Sequence, residues 1–194
     1  MKLSELILKT RSYRRFDESH RISAAALENL VDLARLSASG ANRQPLKYMI
    51  YNSAADCQMI FPSLLWAASL KDWDGPEDGE RPSGYIVILG DKKISDVFGV
   101  DHGIAAQSIM LGASEAGLGG CMIASIKKAE LRNALMIPDQ YEILLVLALG
   151  KPVENIVIDD IKEGDTKYWR DGEKNHHVPK RTLKEIIIDF KSKH

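Results

Sequence analysis

The chain has 194 residues, 45% of them hydrophobic, and sets 26 Lys and Arg against 27 Asp and Glu for a formal net charge of -1. That length buries roughly 70% of the unfolded chain's surface, enough for one globular domain over 1–194. The balanced charge excludes a highly charged disordered chain and a global basic field for nucleic acid. Only Cys57 and Cys121 are present, which excludes a disulfide framework and points to a reducing, cytoplasmic setting. No run approaches the ~18 apolar residues of a membrane span, so no membrane partner is expected. In chain order, Lys2 to Thr10 places Leu3, Leu6 and Ile7 on one face of a short helix that runs into a basic turn. Ser23 caps a second helix carrying Leu27, Leu30, Val31 and Ala34, expected to end near Ser39 and Gly40.

Lys47 to Tyr51 has strand character, and Ala54 to Leu70 is apolar enough for a helix that Pro62 must start or interrupt. Lys71 to Pro82 is rich in acid, Gly and Pro, and reads as an exposed loop suited to a mobile lid. Tyr85 to Leu89 is a buried strand. Asp101 is placed to cap a long helix stopped at Gly117. A helix from about Lys127 to Met136 and a buried strand from Glu142 to Leu149, closed by Gly150, follow. Lys151 to Lys180 is polar and irregular, too long for an ordinary connection, and reads as an arm wrapping a second subunit before a helix at Thr182 to Lys191. Without a strict βα repeat, an α+β layered domain is preferred to a doubly wound one.

Three segments carry candidate chemistry. Lys9 to Arg15 holds four cations, no acid and intervening hydroxyls, a mixture suited to phosphate because guanidinium forks donate in pairs; such cations equally favour a helix C-terminus. Ser37 to Pro45 is dense in groups able to hydrogen-bond a heteroaromatic edge, or is an ordinary polar turn. Gly117-Leu118-Gly119-Gly120 follows a helix, so neither a dinucleotide fingerprint nor a P-loop fits. It reads as a helix stop and strand entry, or as backbone amides meeting a flat ligand. Cys121 lacks neighbours that would lower its pKa, and His176-His177 lacks ligands at metal spacing. Trp66, Trp73 and Trp169 have no basic groove around them and read as core or lid residues.

Taken together and in order, these segments resemble the FMN-dependent nitroreductase family. Arg11-Ser12-Tyr13-Arg14-Arg15-Phe16 is similar to its RSxRxF element, and Ser39 to Pro45 to its SxxNxQP element. Asp101 with Ala105-Ala106-Gln107 resembles its central helix, Gly117-Leu118-Gly119 its GLG turn, and Val178-Pro179-Lys180-Arg181 its closing basic element. The resemblance implies a layered fold with a central mixed or antiparallel sheet flanked by helices, and a homodimer that exchanges its C-terminal arms and holds two FMN sites. Arg11, Ser12 and Arg14 would hold the phosphate and ribityl chain with Arg181 and Lys180. Ser39, Asn42 and Gln44 would come from the other subunit, and Met122, Ile123 and Ala124 would lie beside the ring. Phe61 to Ala68 offers no Asn or Lys such as some members place at the pyrimidine edge. Met122 stands where many have Trp, and Ala124 where Gly is common.

The activity implied is ping-pong transfer of a hydride from NADH or NADPH through the flavin to a small aromatic acceptor, a nitroaromatic or quinone, with no side-chain acid or base required. A related reductive dehalogenase or oxidase, and a non-catalytic flavin sensor, share the same cofactor elements.

Overall fold

The two uninterrupted apolar runs become adjacent antiparallel strands in the computed structural model, which describes residues 1–70 and 72–188. The chain forms two units: Met1–Trp66 with Asp74–Val153, and Ala67–Trp73 with the chain from Glu154 onward.

The first unit contains, in order, α1 (Leu3–Lys9), β1 (Phe16–Asp17), α2 (Ala24–Arg35), β2 (Leu46–Tyr51), α3 (Ala54–Ile60), β3 (Gly84–Asp91), α4 (Asp101–Glu115), β4 (Gly119–Ile123), α5 (Lys128–Ala134) and β5 (Tyr141–Pro152). Its sheet runs β1-β5-β3-β2, with β4 also paired to β5, and every pairing is antiparallel. Strand side chains alternate between faces. Ile86 and Ile88 therefore share a core with Leu145, Leu147 and Leu149, and α2 and α4 cover it with Leu27, Leu30, Ala34, Ala105, Ala106, Ile109 and Ala113. Each large apolar side chain so buried contributes about 1.5–3 kcal/mol. Tyr85, Val87 and Leu89 point the other way and are buried as well. Gly112 lets the two helices close up, since a Cβ there would stand 2.3 Å from Leu33 Cδ1. The α+β layered reading holds, and the sheet is of the antiparallel kind.

Several boundaries differ from the expectation for local reasons. Ser23 caps α2 by accepting from the Ala26 amide, but the helix ends at Arg35, and Ser37 turns its hydroxyl back to Leu33 O and across to Ser108 Oγ. The expected helix over 54–70 stops at Ile60. Pro62 opens a 3-10 turn, after which Leu64 bridges Ile126 in extended form. Asp101 does not cap α4: Val100 occupies that position and Asp101 is the first helical residue. Strand β5 continues through Gly150, because the absent side chain leaves room for the Phe16 ring, 2.7 Å from where a Cβ would be. The 74–82 stretch is tied down at its far end. Glu80 pairs with Arg15, and Gly79 donates its amide to Glu18 Oε2 at 2.6 Å. That anchoring is at odds with a flap free over this whole stretch.

In the second unit the polar arm is not irregular. It forms β6 (Ile156–Asp160), β7 (Trp169–Arg170) and β8 (His176–Lys180), with β8 parallel to β6 and antiparallel to β7. The closing helix, α6 (Leu183–Ile186), is a single turn begun by a Thr182–Glu185 capping box, and the expected helix stops there because Ile187 is extended; residues 189–191 of the expected helix lie outside the described residues. Arg170 lies over the Trp73 ring at 4.3 Å and pairs with buried Glu154.

His177 fastens this small sheet. Its Nδ1 lies 2.8 Å from Asp159 Oδ2 and its Nε2 3.3 Å from Asp171 Oδ2, while Trp169 stacks on the ring at 4.1 Å. Only the imidazolium donates from both nitrogens. Burial works against that charge, but hydrogen bonds to Asp159 and Asp171 outweigh it and hold the pKa above its ordinary value. A pKa raised by folding means stabilisation fully present below the unfolded value, about 6.5, and lost as pH rises through the folded value. We expect an NMR titration to place His177 above 6.5. Amide protection in β8, corrected for intrinsic exchange, should fall over the same range in the wild type and show no such step in His177→Gln.

Candidate functional site

The basic turn is built onto the sheet from both sides. Thr10, buried at the end of α1, donates its hydroxyl to Leu6 O at 2.8 Å and lies 2.9 Å from Ser114 Oγ near the C-terminal end of α4. Ser12 then pairs with Gly120 as a parallel bridge, and the Tyr13 amide donates to Gly120 O at 2.9 Å. This close approach explains the glycines. Gly117 stops α4 at φ +75°, whereas a Cβ on Gly119 would stand 2.6 Å from Tyr13 Cδ2, and one on Gly120 2.5 Å from Ala148 O. The helix-stop reading of the Gly-Leu-Gly-Gly segment is correct, and the two later glycines seat the basic turn.

Within the turn, Arg11 is half-buried. It donates from Nη2 to Ile7 O at 2.8 Å, a bond to a helix C-terminal carbonyl, while its Nε is buried with no hydrogen-bond partner among the described residues. Arg14 donates from Nη1 to Ser12 O at 3.2 Å. Glu80 pairs with Arg15, the one arginine of the turn that the resemblance leaves unassigned. From Gly120 the strand runs on through Met122, half-buried against the core, and Ile123, whose side chain is buried, to exposed Ala124. At about 3.3 Å per residue, Met122 and Ala124 lie about 7 and 13 Å along the strand from the Ser12 bridge.

The 39–44 loop is held at the other end of α4. Asp101, 6% exposed, accepts the Ser39 hydroxyl at 2.6 Å and the Gly40 amide at 2.9 Å. Ser39 Oγ in turn accepts the Gln44 amide at 2.9 Å. Ala41, Asn42 and Gln44 all have left-handed backbone, φ 50°, 53° and 52°. The Gln44 side-chain amide donates to Asn42 O and Oδ1, and both side chains remain exposed. Behind the loop lies a cavity of about 200 Å³ that Ala34, Leu46, Tyr48 and Asp101 help to line. Burial, and then the Asp101 carboxylate, push the Tyr48 hydroxyl up to about 12.

The structure thus brings Arg11, Ser12 and Arg14 together with β4 and the Met122 to Ala124 run, and separately gathers Ser39, Asn42 and Gln44. Asp101 and Ser114 stand thirteen helical steps apart on α4, about 20 Å at 1.5 Å per residue. Lys180 and Arg181 belong to the second unit, where Lys180 ends β8 and exposed Arg181 lies 3.5 Å from Glu185 Oε1. Neither cysteine is a nucleophile candidate: Cys121 is buried, and burial pushes the Cys57 thiol up to about 11. Sequence reasoning missed the role of Asp101. The signal is an acid at a helix start that has no need of an acidic cap, following a Ser-Gly pair that has a hydroxyl and an amide to place.

Comparison with known proteins identifies the family. The model of the nitroreductase family matches residues 7–151, three quarters of the chain. A protein of Archaeoglobus fulgidus with the provisional name NADH dehydrogenase/NAD(P)H nitroreductase is 24% identical over 172 residues, covering 84% of this chain and 91% of its own. A solved nitroreductase family protein from Clostridium novyi superposes with a TM-score of 0.65 at 27% identity, over 78% of this chain and 86% of that one. An FMN-dependent nitroreductase from Clostridium difficile gives 0.63 at 20% identity, over 88% and 94%. Among the described residues no helix is long and apolar enough to cross a membrane. With the family's span running from the basic turn through the last strand of the sheet, the chain belongs to the nitroreductase family, and with it to the oxidoreductases.

Proposed function

We propose that this chain is an FMN-dependent enzyme that oxidises NADH or NADPH and reduces a small aromatic acceptor, a nitroaromatic or quinone, as a homodimer with two flavin sites. The observation that carries the reading is the bridge between Ser12 and Gly120. It sets a cluster of guanidinium and hydroxyl donors at the start of a strand whose next residues, Met122 to Ala124, offer an apolar edge about 7–13 Å away. A ligand with a phosphate at one end and a flat ring at the other matches that spacing.

The residues fit FMN on their own chemistry. Among the described residues buried Arg11 Nε has no hydrogen-bond partner, and an unmet buried donor costs about 1–3 kcal/mol, which a phosphate oxygen would recover. Arg11, Ser12 and Arg14 would bind the phosphate, joined in the resemblance by Lys180 and Arg181. Met122 would face the ring with its side chain, whereas buried Ile123 and short Ala124 would contribute backbone amides. Bound FMN supplies two-electron chemistry between nicotinamide and acceptor. Asn42 and Gln44 would orient the cofactor from the second subunit. The length of α4 favours that source, because one chain's 39–44 loop and basic turn sit at opposite ends of it. Exposed apolar residues on the first unit's helices, Ile7, Leu33 and Ile104, and at the end of α2, Leu36, supply a surface of the kind a partner covers.

The test is anaerobic. NADH or NADPH should bleach the yellow protein, and a nitroaromatic or quinone should recolour it over repeated cycles. A protein that bleaches with neither nicotinamide refutes the enzymatic reading, and one that bleaches without reoxidation by any acceptor favours a flavin sensor.

A further inference from the structure

We propose that Asp101 is a positioning residue for the flavin: its carboxylate sets the shape of the 39–44 loop that presents Asn42 and Gln44. The inference rests on the reading above that this loop meets FMN, and it assigns the device that makes the loop competent.

Three left-handed non-glycine residues within four positions, Ala41, Asn42 and Gln44, are an arrangement that a short polar loop does not keep unaided, because each costs roughly 1 kcal/mol or more. The counterweight is a relay of three hydrogen bonds. Both Asp101 oxygens are used, one by Ser39 Oγ and one by the Gly40 amide, and Ser39 Oγ passes the restraint to the Gln44 amide. The loop is thereby held at its entry and exit, with its two flavin-facing amides projecting between and beyond. No ion pair to Asp101 occurs among the described residues. Its buried charge is instead met by these charge-assisted bonds and by its place in the first turn of α4, at the positive end of the helix dipole. A helix cap would need none of this. Among the described residues the carboxylate accepts from the loop and from no α4 amide, so its hydrogen bonds serve the loop.

The experiment is an FMN titration of apoprotein variants by fluorescence quenching, with hydrogen exchange at residues 39–44 and thermal midpoints measured on the same samples without flavin. Asp101→Asn keeps an acceptor for Gly40 but sets an N–H against Ser39, and should weaken FMN binding roughly 10–100-fold while exchange quickens at Gly40 and Gln44. Ser39→Ala cuts the same relay without altering the carboxylate, and serves if Asp101→Asn folds poorly. The two effects on FMN affinity should be strongly non-additive in the double variant, because they act through one bond; general loss of stability would leave them independent. Asn42→Ala with Gln44→Ala tests the underlying reading separately. If that pair weakens FMN binding while Asp101→Asn and Ser39→Ala stay within twofold of wild type, the positioning role is overturned and the flavin assignment of the loop stands. If the Asn42 and Gln44 pair binds FMN as wild type does, that assignment fails and takes the positioning role with it.

Discussion

Replacing Arg11 and Arg14 together by alanine should lower FMN affinity by roughly 10²–10⁴, so that the variant purifies without flavin while keeping its fold. The magnitude follows from two charge-assisted contacts at about 1.5–3 kcal/mol each, and tenfold in affinity per 1.4 kcal/mol. The fold should survive because neither side chain is part of the core. Arg11 closes the end of α1 through Ile7 O and Arg14 donates to Ser12 O within the turn, while Thr10 and the Ser12–Gly120 bridge, which position the turn, are untouched. Lysine at both positions should recover only part of the loss, since a point charge does not reproduce the guanidinium fork. Arg15→Ala serves as a contrast. It removes the pairing to Glu80 and should loosen the 74–82 stretch with little direct effect on the phosphate. Circular dichroism and an FMN titration on the same samples check both points.

The largest expected stability effect is at Gly120. A single methyl group there would stand 2.5 Å from the Ala148 carbonyl and 2.7 Å from Leu149 Cδ2. The obstructing oxygen is backbone in the middle of β5, so no side-chain rotation relieves it, and β4 must move off its partner. Overpacking of this kind costs about 1–3 kcal/mol, occasionally more. At roughly 2–4 °C per kcal/mol for a chain of this size, Gly120→Ala should lower the melting temperature by about 2–12 °C. Because Gly120 also carries the Ser12 bridge and accepts the Tyr13 amide, the same methyl group should weaken FMN binding through displacement of the basic turn. Gly172, with open space around it, is the control; Gly172→Ala should change neither quantity appreciably.

How much of this was legible in the sequence depends on how local the cause is. The continuous apolar runs at 85–89 and 143–149 announce buried strands, and the 3.6-residue spacing with Ser23 announces α2, because hydrophobic periodicity is a local signal. The end of α2 was not legible, since Ser37 bonds to Ser108 seventy-one residues away. Nor were β6 and β8. Their sequences carry Asp159, Asp160 and two histidines where a strand pattern would show alternating apolar residues, and it is the clasp of His177 by Asp159 and Asp171 that makes polar strands hold. At the site, the Arg-Ser-x-Arg turn and the Ser-Gly-Ala-Asn segment were visible as residue types. Their supports, Gly120 under the first and Asp101 behind the second, come from the far side of the sequence and appear only in three dimensions.

The central claim is that the basic turn on β4 belongs to a flavin phosphate site, and cofactor identity and stoichiometry test it most directly. Protein purified without added flavin, or reconstituted from apoprotein, should release FMN on denaturation, approaching one per chain, with two chains per particle by light scattering. The Arg11→Ala, Arg14→Ala variant should release almost none. Wild-type protein that neither carries nor takes up FMN, or a double variant that retains a full complement, would contradict the account.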